Sequence, residues 1–201
     1  LPAPGPALIG LSGAIASGKS AALAALERLG AVTLSTDAVV HELLDEPATR
    51  ARLVERWGEE VAPDGRVDRA AIGRIVFADP AELEWLEGLL HPLVGERVAR
   101  WRTELPDNAE LAVVEVPLLF EAGMEGLFDA TLVVVAGDEL RAERARARGT
   151  ADLEGRAARQ LSEGEKAARA TFVVENKGTL EDLEEALRAL WPRLVAARRA
   201  A

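Results

Sequence analysis

Residues 7–30 read ALIGLSGAIASGKSAALAALERLG, and Gly13-x-x-x-x-Gly18-Lys19-Ser20 stands there between an apolar run, 7–12, and a helical pattern, 21–29. Strand, glycine loop and helix start in that order wrap backbone N–H groups around a polyphosphate. The glycines let the backbone approach an anion, Lys19 reaches the outer phosphates and the Ser20 hydroxyl suits Mg²⁺. The expected phosphate cradle runs through Gly13, Ala14, Ile15, Ala16, Ser17, Gly18, Lys19, Ser20 and Ala21, with ATP or GTP as ligand. A plain glycine turn opening a helix is the competing reading. Lysine argues against it, because it occurs only at Lys19, Lys166 and Lys177 while arginine serves as the cation nearly everywhere else.

Working outward, 201 residues with 49% hydrophobic content are enough for a full core in one domain with insertions. A formal charge of −10 excludes a general nucleic-acid binder, whose affinity rests on a cationic face. Bound phosphate must instead meet a local positive cluster. The absence of cysteine removes disulfides, thiolate metal sites and thiol nucleophiles. No apolar run approaches a membrane span, and residues 1–6, LPAPGP, lack the basic start of a secretory signal. A cytoplasmic protein is expected, with 1–6 as a flexible leader outside the fold.

Short apolar runs at 7–12, 31–35, 111–116, 131–136 and 171–174 alternate with helical patterns, which predicts an α/β fold with a five-stranded parallel sheet. The first, third and fourth runs lack alternation, as strands buried on both faces do. Ligands then belong at the carboxyl ends of the strands. The interval after the second strand is too long for an ordinary crossover and reads as a helical insertion, 38–108. Within it Asp79-Pro80 predicts a helix start, Leu83, Leu86, Leu89 and Leu90 an apolar stripe, and His91-Pro92 an interruption. Residues 138–170 are dense in charge and predict a mobile lid. The nucleotide core is assigned to 7–37, 109–137 and 171–201. Its last helix starts near Thr179 and is expected to kink or break at Pro192.

Several carboxylates and cations fall at predicted strand ends. Asp37 reads either as the base that takes a proton from an acceptor hydroxyl or as the N-cap of a helix over 38–44. Glu115 is placed near the Mg²⁺ shell or is an acidic residue at a strand exit; Glu121 is either a second site carboxylate or solvated. A helix would align Arg141, Arg144 and Arg148 on one face, with Arg146 turned away. That face either converges on a transferring phosphoryl group or is a solvated surface paired with Glu139 and Glu143; Arg156 is a further lid candidate. His41 and His91 form no zinc constellation. Glu175-Asn176-Lys177-Gly178 is close to a guanine-reading Asn-Lys-x-Asp, but Thr179 stands where the acid is required. Asn176 therefore contacts an adenine or closes a turn.

In this order the phosphate loop, LGAVTLSTDAVVHEL, DGRVDRAAIGRIVFADP, LLHPLV, VPLLFEAG and FVVENKGTLEDL resemble the dephospho-CoA kinases, over about residues 8–190. The resemblance implies a P-loop NTPase fold with a helical acceptor-binding insertion and a helical lid. It also implies transfer of the ATP γ-phosphoryl group to the ribose 3′-hydroxyl of dephospho-CoA, with Mg²⁺. Asp37 matches the family's catalytic carboxylate. Asp68, Arg69 and His91, with Pro117, Leu118 and Glu121, lie in segments expected to shape the acceptor site. The chain departs from the family at Ala14 and Ala16, where glycines are usual, at Ala21, where threonine is usual, and at Ser35-Thr36-Asp37, which stands for Asp-Ala-Asp. Competing readings are another small-molecule or nucleoside-monophosphate kinase, or a nucleotide-dependent switch or assembly ATPase.

Overall fold

The computed structural model describes residues 5–147 and 160–198. Residues 1–4 of the expected leader, together with Arg148 and Arg156, lie outside the described residues.

Five strands form one parallel sheet in the order β2-β3-β1-β4-β5: β1 (Ala7–Gly13), β2 (Val32–Ser35), β3 (Leu111–Glu115), β4 (Ala130–Val135) and β5 (Phe172–Glu175). Each expected strand is present with ends moved by no more than a residue. Strand β1 is central and buried throughout, and so is β3 beside it. Their sequences, ALIGLSG and LAVVE, show no polar alternation because neither face meets water. Ile9, Leu11, Leu111, Val113, Leu132 and Val134 pack under Ala22, Ala25 and Leu26 of α1 (Lys19–Leu29) and Leu183, Leu187 and Leu194 of α8 (Leu180–Ala196). Those six strand residues alone remove several hundred Å² of apolar surface from water, at about 25 cal/mol per Å².

The chain divides into two compact units, one of residues 1–35 with 105–201, the other of residues 36–104. The second unit is helical: α2 (Thr36–Asp45), α3 (Pro47–Trp57), α4 (Arg69–Ala78) and α5 (Pro80–Thr103). Asp79 caps α5 by accepting the Ala81 N–H at 2.9 Å, with Pro80 at the first helical position. His91-Pro92 does not interrupt this helix. Pro92 lies inside it, where its ring forgoes one hydrogen bond, to the Gly88 carbonyl, while Leu86 and Leu90, just before it on the same helix, are buried. Pro192 likewise sits inside α8 rather than ending it, between buried Leu187 and Leu194. In both helices the burial of flanking leucines outweighs the lost bond. Tertiary packing overrides the local signal.

In the first unit the charged stretch contributes α6 (Asp138–Ala147) and α7 (Glu163–Arg169). Helix α6 has no buried residue. Among the described residues, no helix is long and apolar enough to cross a membrane.

Candidate active site

The loop between β1 and α1 is built as its glycines require. A Cβ on Gly13 would lie 2.5 Å from the Val134 carbonyl, and one on Gly18, whose φ is +103°, would lie 2.1 Å from Asn176 Nδ2. Both positions therefore exclude a side chain. Ala16 takes the left-handed backbone at φ 62° and carries its methyl there. Lys19 Nζ donates to the Gly13 and Ala14 carbonyls at 3.0 and 3.1 Å, which holds the ammonium over the loop. Helix α1 starts with no side-chain cap and no acidic residue in its first turn. No acidic charge thus opposes an anion at the helix start, where the dipole favours one.

Asn176, 2% exposed at the exit of β5, ties the loop to the neighbouring turn. Its Nδ2 donates to the Ser17 carbonyl at 2.9 Å, and its Oδ1 accepts the Gly178 N–H at 3.2 Å. These bonds close the turn and add a strut to the phosphate loop that sequence spacing does not reveal.

The arginine face of α6 is divided. Arg144 reaches the loop, with contacts of 3.5 Å to the Ser17 carbonyl and 3.3 Å to both Asn176 Oδ1 and the Gly178 carbonyl. Arg141 turns instead to Asp138, at 2.5 Å, and toward Glu163, at 3.8 Å. Its nearer partner is one turn away on its own helix; Glu163 comes from a later element. Arg146, the residue expected to point away, donates to the Ala142 carbonyl of its own helix.

Glu115 ends β3 in register with Leu11 and Ser35 and is 4% exposed, so a carboxylate stands buried at the sheet's carboxyl edge beside the phosphate loop. Ser20 is exposed in the first turn of α1. No group of three or more His, Cys, Asp or Glu side chains is gathered for a metal among the described residues. One hydroxyl with one carboxylate is the sparse donor set that suits Mg²⁺ held chiefly by phosphates and water. Glu121 is not solvated: its side chain is 14% exposed, and Oε1 accepts the Leu161 N–H at 2.8 Å and pairs with Lys166 at 3.0 Å. Lys166 is a residue that sequence reasoning passed over, although scarcity of lysine marks it as it marks Lys19.

In the helical unit Asp37 is exposed in the first turn of α2, which starts at Thr36. The helix begins before the aspartate, so the expected N-cap over 38–44 is not formed and Asp37 favours the helix through its charge instead. Asp68 caps α4, accepting the Ala70 and Ala71 N–H groups at 2.9 and 3.1 Å, and Arg69 and His91 are exposed on α4 and α5. Glu82 pins α3 to α5. It accepts the Trp57 indole N–H at 2.7 Å and both faces of the Arg56 fork at 2.7 and 3.0 Å, and those bonds, Arg56 first, hold its carboxyl below the usual range.

A phosphate loop at the head of a central parallel strand, with a lysine over it and a helical unit inserted after β2, defines a P-loop kinase. The model of the family Dephospho-CoA kinase matches residues 7–182, and the chain belongs to that family. It is 40% identical over 194 residues to the dephospho-CoA kinase of Frankia casuarinae, covering 94% of this chain and 84% of that one. A crystal structure from Thermus thermophilus superposes with a TM-score of 0.79 at 40% identity, covering 95% of this chain and 99% of its own. The dephospho-CoA kinase from Campylobacter jejuni does so with a TM-score of 0.64 at 25% identity, covering 93% and 96%.

Proposed function

We infer that this chain is a dephospho-CoA kinase, which transfers the γ-phosphoryl group of ATP to the ribose 3′-hydroxyl of dephospho-CoA and releases CoA and ADP, the last step of coenzyme A biosynthesis. The observation that carries the chemistry is the Lys19 ammonium held over Gly13 and Ala14 at the uncapped start of α1. Family membership carries the choice of acceptor. Working in the cytoplasm, the enzyme would meet both substrates in solution.

In this reading Gly13, Ala14, Ile15, Ala16, Ser17, Gly18 and Ala21 line the phosphates with backbone, and Lys19 neutralises the β- and γ-oxygens. Arg144 leaves its long contacts on the Asn176 turn to meet charge developing on the phosphoryl group. Asp37 accepts the 3′-hydroxyl proton as the new O–P bond forms and the bond to the β-phosphate oxygen breaks. Ser20 and Glu115 would hold Mg²⁺, which when bound spreads phosphate charge. Asp68, Arg69, His91, Pro117 and Leu118 shape the acceptor side; Asp68 does so by fixing the start of α4. Exposed Asp37 and Arg69 and half-buried Arg144 are accessible to substrates, which supports these roles.

Purified protein with Mg·ATP and dephospho-CoA should form CoA and ADP in equal amounts. ADP without CoA would favour a switch or ATPase, and faster turnover with a nucleoside monophosphate would move the assignment to another kinase of the class.

A further inference from the structure

Lys166, in the middle of α7, is 0% exposed, and no step above uses it. A buried ammonium is tolerated only where it is paired and hydrogen-bonded. Here Nζ donates to the Pro117 carbonyl at 3.0 Å and pairs with Glu121 Oε1 at 3.0 Å. The Pro117 carbonyl also accepts the Ser12 hydroxyl at 3.2 Å, and Glu121 Oε1 also accepts the Leu161 N–H at 2.8 Å. Glu163, at the start of the same helix, accepts the Ala136 N–H at 3.1 and 3.2 Å through its two oxygens.

The anchor points explain the arrangement. Pro117 lies two residues beyond the end of β3, Ala136 one beyond the end of β4, and Ser12 within β1. The sheet order places β3 and β4 on either side of β1, and β1 runs directly into the phosphate loop. We infer that Lys166 is a positioning residue for phosphoryl transfer: through Pro117 and Glu121 it fixes the β3 exit loop against β1, while Glu163 fixes the β4 exit on the other side. Residues 161–166 thereby hold both flanks of the phosphate loop. An ammonium suits the task because it donates at once to a carbonyl and a carboxylate, which an apolar side chain of equal volume cannot do. The inference rests on the kinase reading of the phosphate loop.

The chain has no cysteine, so Lys166→Cys creates a single thiol. Alkylated in denaturant with 2-bromoethylamine and refolded, it regains an ammonium; alkylated with 1-bromopropane it gains a neutral group of the same shape. The aminoethyl protein should recover most of kcat, and the propyl protein should lose about 10–100-fold, the scale of a small displacement near reacting groups. Lys166→Met/Glu121→Gln, in which both charges are removed and no lone buried charge remains, should melt near the parent. It should nonetheless show the same kcat loss, a KM for ATP changed less than about threefold, and faster amide exchange over 116–122. Parental kcat and exchange in that folded double variant, or equal activity of the two alkylated proteins, would overturn the inference. If the parent makes no CoA the kinase reading fails, and the amide exchange still decides whether Lys166 holds the loop.

Discussion

At the residue scale, the Lys19 ammonium is held by the Gly13 and Ala14 carbonyls of the phosphate loop. Lys19→Ala should therefore fold normally and lose about 10²–10³ in turnover, measured as CoA formation beside a thermal melt. Near-parental turnover would leave the lysine without its role. Asp37 offers a cleaner separation of chemistry from folding, because it is exposed and no longer serves as a cap. Asp37→Asn should melt within a degree or two of the parent and bind both substrates, yet transfer phosphate about 10²–10⁴ more slowly in single-turnover measurements. A folded variant with undiminished transfer would require another base. Ala16 makes a stability prediction: holding an alanine at φ 62° costs about 1–2 kcal/mol relative to its preferred backbone, partly offset in Ala16→Gly by the greater freedom of the unfolded glycine. A net gain of about 0.5–1 kcal/mol in urea unfolding is expected, and a loss would mean that the methyl packs favourably in the loop. Ala14 has no positive φ, so its methyl carries no such strain.

At the element scale, helix α6 shows what periodicity reveals and what it leaves out. Spacing of three places Arg141 and Arg144 on one face, but only Arg144 reaches the phosphate loop. Glu163, which draws Arg141 aside, comes from a helix 22 residues further along the chain. No local pattern announces such a partner. Arg144→Ala should reduce turnover by tenfold or more, the scale of losing one charged stabiliser, whereas Arg146→Ala, whose side chain folds onto its own helix, should stay within about twofold. Equal losses at the two positions would indicate only a general effect of positive charge. Strands β1, β3 and β4 were legible because burial on both faces leaves an unbroken apolar run, and the phosphate loop because its glycines are sterically compulsory. Lys166 and Asn176 were harder to read: their partners lie 45 or more residues away in sequence, at Pro117, Glu121 and Ser17. Pro92 misled for the converse reason. It is a strong local signal that the packing of nearby leucines overrides.

At the scale of the whole molecule, the acidic chain holds several carboxylates in charged or capped partnerships, and this fixes how its stability responds to acid. Hydrogen bonds from Arg56 and then Trp57 lower the Glu82 pKa; its own backbone N–H and then Arg169 lower that of Glu125; the Ser162 hydroxyl and N–H lower that of Glu165. In each case the unfolded chain binds a proton at a pH where the folded chain does not. Stability from these groups is therefore complete above the ordinary glutamate range near 4.5 and is lost as pH falls through the lowered folded values. Glu82 is the most informative of the three, since one carboxylate joins α3 to α5 while the Arg56 guanidinium also lies 5.4 Å from the centre of the Trp85 ring and Trp57 meets Trp85 edge-on at 5.1 Å. Glu82→Gln keeps an oxygen for the Trp57 N–H but presents an amide to the arginine fork. The variant should be less stable than the parent at pH 7, with the difference shrinking as pH falls below about 4.5, because protonation then removes the same charge from the parent. Urea unfolding of both proteins across that range measures the difference directly. A stability gap that stayed constant on acidification would show that Glu82 acts through shape rather than charge.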